Sequence, residues 1–137
     1  MSKKIAQILL FHKISVSKFK LRKKIINLRK KKYFEIKIGN NIIDSFHNKI
    51  NLSKNKIIGG YFPINFEFDC LQILKKFYSH GYSISLPIIK RNHQMDFYKW
   101  SPNDPLTISS LGIPQPLKFK KVYPDIIFVP IVAFDKF

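Results

Sequence analysis

Between Lys56 and Leu86 the chain sets one amphipathic segment between two short apolar runs, and this pattern restricts the fold more than any other stretch. Lys56 to Phe62 (KIIGGYF) has the length and apolar content of a buried strand. Asp69 stands where an N-cap is needed, Cys70 to His80 brings Leu71, Leu74 and Phe77 to one helical face, and Gly81 supplies the stop. Tyr82 to Leu86 is the next strand. A helix between two such strands predicts a crossover connection and a parallel pair. The fold class expected is therefore α/β, a three-layer fold with a mostly parallel sheet flanked by helices.

Other segments extend this frame. Lys18 to Lys32 has helical periodicity, with Leu21, Ile25 and Leu28 as an apolar stripe and Lys18, Arg22 and Arg29 on a neighbouring face. A second helix is expected from about Asn41 to Ile50, burying Ile42, Ile43, Phe46 and Ile50, after a break at Gly39-Asn40-Asn41. Beyond Pro87, Met95 to Trp100 reads as a strand, and the proline-rich path from Ser101 to Pro116 as a surface loop. Asp125 to Pro130 is an almost continuous apolar run, as in a central parallel strand buried on both faces. Ligands of open α/β sheets bind at the carboxyl ends of strands. The loop that should follow this last strand has only begun at Phe137, so the fold is expected to be incomplete at its C-terminus.

Composition excludes several classes. With 45% hydrophobic and 15% aromatic residues in 137, the chain is not wholly disordered and suffices for one domain. Cys70 is the single cysteine, and no Cys/His set has zinc-ligand spacing, so no metal ligand is expected and a reducing compartment fits. No apolar run approaches the ~20 residues of a membrane span. Ile5 to Phe11 is broken by Gln7 and lacks a cleavage site, whereas the basic, acid-free opening to Ser17 leaves organelle targeting as an alternative. The net charge of +17 is uneven, with 16 Lys and Arg against Glu35 and Asp44 in residues 1–60, and nine against six acids afterwards. Such a basic section draws phosphates. Lysine outnumbers arginine 22 to 3 and alanine occurs twice, a pattern that an AT-rich genome also produces. His12, His47, His80 and His93 show no ligand spacing, and Trp100 fits a core better than a base-stacking site.

Several pieces occur in a telling order: Lys18-Phe19-Lys20-Leu21-Arg22 with Arg29; Gly60-Tyr61-Phe62-Pro63 and then Glu67-Phe68-Asp69; Trp100-Ser101-Pro102-Asn103-Asp104-Pro105-Leu106; Gly112-Ile113-Pro114-Gln115-Pro116; Pro124-Asp125 through Pro130; and Ala133-Phe134-Asp135. Together they resemble the 5-formyltetrahydrofolate cyclo-ligase (5,10-methenyltetrahydrofolate synthetase) family over about Lys18 to Phe137. Residues 1–17 form a basic extension outside the resemblance, and residues 18–137 a cyclo-ligase-like domain lacking its C-terminal part.

The resemblance implies ATP-dependent cyclisation of 5-formyltetrahydrofolate to 5,10-methenyltetrahydrofolate, with ATP and Mg2+ as cofactors. It places Lys18 and Arg22 on the ATP phosphates, and Phe62 and Glu67 on the folate. Catalytic residues are expected in a glycine-rich segment of the form R-L-G-x-G-x-G-Y-Y-D, which the sequence does not contain; Gly59-Gly60 form no phosphate loop. Activity of this chain is accordingly expected to be impaired. The partners expected are a folate and ATP, with neither nucleic acid nor membrane, in a cytoplasmic monomer once complete; the mitochondrion is the alternative compartment. A small basic nucleic-acid or ribosome-associated protein is the competing reading.

Overall fold

In a computed structural model, residues 3–33, 40–49, 53, 55–90 and 94–132 are described, with side chains from residue 18 onward except at Asn40, Ile42, Ile43, Phe46 and His47. The chain divides into two compact units, one of Met1–Ile36 with Ile131–Phe137 and one of Lys37–Pro130.

In the first unit, helix α1 spans Lys3–Lys32, starting earlier than its periodicity over 18–32 predicts. Its last turn holds Arg29, Lys30, Lys31 and Lys32, cations that suit the negative end of the helix dipole. Arg29 donates from Nη2 to the Ile131 carbonyl at 2.8 Å, so this guanidinium serves the fold.

The second unit opens with helix α2, Asn40–Lys49. Asn40 and Asn41, expected in the break, are its first residues. The proposed buried side of Ile42, Ile43, Phe46 and Ile50 lies outside the described side chains. Strand β1 (Ile57–Gly59), helix α3 (Cys70–Ser79) and strand β2 (Ser83–Ile89) realise the strand-helix-strand pattern, with β1 and β2 parallel. Asp69 caps α3, accepting from the Leu71 N–H at 3.0 Å, and Gly81 ends it at φ 88°, a conformation that favours glycine. Strands β3 (Met95–Trp100), β4 (Leu106–Ile108), β5 (Pro114–Pro116), β6 (Lys121–Val122) and β7 (Ile126–Ile127) follow.

The main sheet has the order β6-β3-β2-β1-β7, and β4-β5 form a separate hairpin. The α/β class holds. Parallel pairing is confined to β2-β1-β7, while β3 pairs antiparallel with both β2 and β6. Strand β2 continues through Pro87, where the sequence suggests a stop. Its bonds to β1 end at Ser85, so Pro87 pairs only with Phe97 on the other side, and the missing N–H costs no ladder bond on the β1 side.

The apolar run at 125–130 departs most from expectation. Instead of a central strand it forms two-residue β7 at the edge of the described sheet, with Ile127 45% and Val129 66% exposed. A continuous apolar run does not by itself distinguish a buried strand from the wall of a cavity, and here Ile127 to Pro130 line a cavity while Phe128 also packs against the core.

The core gathers Ile58, Leu74, Phe77, Ile84, Leu86 and Trp100, all at most 4% exposed, with Tyr82 edge-on to Phe77 at 5.4 Å between ring centres. Two glycines let these layers meet. A Cβ on Gly59 would lie 2.9 Å from both Phe97 and Pro124, and one on Gly60 would lie 2.6 Å from Leu74 and 3.2 Å from the Cys70 sulfur. At the opposite end of β1, Asp125 accepts from the Ile57 N–H through Oδ2 and from Lys56 Nζ through Oδ1, both at 2.8 Å. Asp96 on β3 likewise holds Lys90 and Lys121. Among the described residues no helix is long and apolar enough to cross a membrane.

Two expectations follow. Gly60→Ala should destabilise the unit by about 1–3 kcal/mol, because Leu74 is fully buried and has nowhere to move; a denaturant midpoint unchanged from the parent would refute the close-packing role. The second concerns acid. The carboxyl of Asp125 is held below the usual carboxylate range, first by the Ile57 N–H and then by Lys56, and that of Asp96 first by Lys90 and then by Lys121. A depressed carboxyl stabilises the fold above its unfolded pKa and loses that contribution as pH falls through the folded value. Unfolding midpoints should therefore drop below about pH 4, and Asp125→Asn should reduce that drop.

Candidate functional site

Beside the carboxyl ends of β1, β2 and β7 lies a cavity of about 220 Å³. Its position follows from strand direction: parallel strands release their chain on one side of the sheet, where the connecting segments must enclose a space. Phe62, Ile64 and Glu67 enter from the segment after β1, Pro87 and Ile89 from the end of β2, and Met95 and Phe97 from the start of antiparallel β3. Ile127 to Pro130 contribute another wall, and Ile113 to Gln115 with Ser109 close it from the β4-β5 hairpin.

The cavity is apolar except at a few points. Glu67 is fixed by a tight turn in which its N–H donates to the Ile64 carbonyl at 2.9 Å while its Oε2 accepts from the Ile64 N–H at 3.0 Å. Between these residues Asn65 and Phe66 have φ of 50° and 59°, the left-handed pair of a primed turn. Asparagine tolerates this; for phenylalanine it costs roughly 1–2 kcal/mol. The reciprocal hydrogen bonds and the half-buried neighbours offset that strain, and they leave the second carboxylate oxygen, Oε1, without a hydrogen bond from any described residue. Ser109 uses its hydroxyl oxygen to accept from the Leu111 and Ile113 N–H groups, so it shapes the hairpin. Gln115, between two prolines of β5, brings an amide with both donor and acceptor character to the cavity wall.

Of the residues singled out from sequence, Phe62 and Glu67 line this one cavity. Lys18 and Arg22 lie one turn apart and exposed on α1, in the other unit, and are not among the lining residues. The sequence pattern missed Gln115, Ile89, Met95 and Phe97 as lining residues. A signal for Gln115 was present in its two flanking prolines, which extend the backbone and present the intervening side chain.

Cys70 at the start of α3 bonds to a lining residue, donating to the Tyr61 carbonyl at 3.0 Å and accepting from the Tyr61 N–H at 3.4 Å. Burial pushes its thiol up to about 11, aided by the Asp69 and Glu67 charges. It is a packing group rather than a nucleophile. A disulfide reagent at about pH 8 should leave Cys70 unmodified in the native chain and react promptly once urea unfolds it; rapid native modification would contradict the burial described.

Compared with known proteins, residues 14–137 match the model of the 5-formyltetrahydrofolate cyclo-ligase family. A curated relative, 5-formyltetrahydrofolate cyclo-ligase of Haemophilus influenzae, is 29% identical over 65% of this chain and 51% of its own length. A solved structure, the NMR structure of Aquifex aeolicus 5,10-methenyltetrahydrofolate synthetase, superposes with a TM-score of 0.64 at 26% identity, covering 86% of this chain and 62% of that one. The chain thus spans about half the length of the curated relative it matches.

Proposed function

Because the chain belongs to the 5-formyltetrahydrofolate cyclo-ligase family, we propose that it carries the folate side of a site for ATP-dependent cyclisation of 5-formyltetrahydrofolate to 5,10-methenyltetrahydrofolate. The observation that supports this best is an apolar cavity at the strand ends with a positioned carboxylate, Glu67, in its wall. At about 220 Å³ the cavity is smaller than the ~300–1,000 Å³ typical of pockets that enclose a drug-sized ligand, so it fits one ring system with the rest of the molecule outside. Glu67 Oε1 accepts from pterin N–H groups and the Phe62 side chain packs on the ring, an arrangement that also rejects analogues without those donors.

The chemistry requires an activated formyl oxygen. A formamide oxygen leaves poorly, so it takes the terminal phosphoryl group of ATP, breaking the bond to ADP and giving an imidate phosphate. The neighbouring secondary amine then attacks the activated carbon, loses its proton as the ring closes, and inorganic phosphate departs. The protein's part is to hold the reactants in line and balance charge on the transferring group. Lys18 and Arg22, a turn apart on α1, are the proposed phosphate contacts. Among the described residues no three His, Cys, Asp or Glu side chains converge, so magnesium, which the family resemblance implies, has no protein cage in the described part. The proposed setting is a reducing compartment, foremost the cytoplasm, with the completed protein a monomer.

The glycine-rich R-L-G-x-G-x-G-Y-Y-D segment is absent from these 137 residues, so turnover by the chain alone is proposed to be impaired. Incubated with 5-formyltetrahydrofolate and ATP, the chain should form little of the methenyl chromophore, whereas a chimera carrying that segment from a relative should form it readily. In the chimera, Glu67→Gln and Phe62→Ala should raise KM for the folate, and Lys18→Ala or Arg22→Ala should weaken ATP use by roughly 1.5–3 kcal/mol each. Full turnover by the unextended chain, or indifference of the folate KM to Glu67→Gln, would overturn this reading.

A further inference from the structure

A nucleotide occupies one face of a helix, and α1 is cationic well beyond the face that holds Lys18 and Arg22. Residues 18–32 contain nine Lys and Arg and no acid. At 1.5 Å per residue this is one positive charge per about 2.5 Å of axis, against one negative charge per ~3.4 Å of each strand in a nucleic-acid helix. Lys20–Lys24 and Lys20–Lys23 are like-charge neighbours that disfavour the helix when uncompensated. Lys20, Lys23, Lys24 and Lys31 make no ion pair among the described residues. Lysine richness runs through the whole chain, but residues 61–137 set six acids against nine cations, so base composition alone does not produce the acid-free helix.

An exposed aromatic belongs to the same surface. Phe19 is 69% exposed. At 3.6 residues per turn, Phe19, Lys23, Lys20, Lys31 and Lys24 follow one another around a single arc of about 140°, while Lys18 and Arg22 lie outside it. Cations beside an exposed ring are the elements of single-strand recognition, in which lysines follow the phosphates and the ring stacks on a base. The scarcity of arginine fits backbone binding without base-edge readout. A bilayer surface fits less well: the exposed Leu21 and Leu28 project from the side opposite Phe19, so no one apolar face is available to insert.

We propose that this arc of α1 binds single-stranded nucleic acid without sequence preference, independently of the folate reading. The test is fluorescence anisotropy of the full chain with a labelled oligo(U) of about 20 nucleotides at roughly 50 to 200 mM salt, beside a duplex of equal length and phosphatidylserine vesicles. Oligo(U) should bind most tightly, with affinity falling steeply with salt. K20Q/K24Q/K31Q should flatten the logarithmic salt slope by about two, at about 0.7 per phosphate contact. F19A should weaken binding by about tenfold or more with the slope unchanged. K18Q/R22Q should change binding least, and circular dichroism checks that each variant keeps its helix. No oligo(U) binding at the lowest salt, a slope unmoved by the triple variant, an F19A variant equal to the parent, or equal binding to duplex or vesicles would each overturn the proposal.

Discussion

Everything in the larger unit depends on how closely its layers approach at Gly59 and Gly60. The two positions point to opposite sides of β1, as successive strand residues must, and each faces a wall that a Cβ would strike. With hydrogen alone on the Gly60 side, Leu74 and Cys70 of α3 settle against the strand; with hydrogen alone on the Gly59 side, Phe97 and Pro124 do so. These contacts bring the first half of α3 and the run after Pro124 to the strand terminus that borders the cavity. The glycine pair is therefore an architectural device, and it leaves no phosphate-binding role to explain.

The same geometry accounts for the division between apolar lining and isolated polar groups. Side chains that reach the cavity come from strand ends whose inward positions are already apolar for the sake of the core. Polar character is brought in from outside the main sheet, by a turn and by the separate β4-β5 hairpin. Glu67 arrives on a tight turn and Gln115 on a proline-flanked strand, both held by local geometry.

Much of this was legible in the residues. The strand-helix-strand unit, the Asp69 cap, the Gly81 stop and the β3 strand follow from local chemistry acting over a few residues, and the structure has them. Phe62 and Glu67 were found through family motifs; their meeting in one cavity needed the fold. What local pattern did not reveal depends on distant partners. Pro87 is tolerated inside β2 because β1 has already ended beside it, and in the 125–130 run Phe128 packs against the core while Ile127 to Pro130 also border the cavity. For Gln115 the flanking prolines signal a presented side chain, while the space it faces depends on the fold.

The clamp at Asp125 also has a kinetic meaning. It joins Ile57 to a residue 68 positions away, whereas Ser85 reaches back to Ile58 across 27. Closing the longer loop costs about 0.8 kcal/mol more in chain entropy, and β7 adds only two residues of ladder in return. The β1-α3-β2 crossover and the β2-β3 hairpin close over shorter stretches of chain than the pairing of β1 with β7 does. One wall of the cavity is thus held across a long span of chain, by the Asp125 carboxylate at the start of β1 and by the Phe128 N–H on the Gly59 carbonyl at its end.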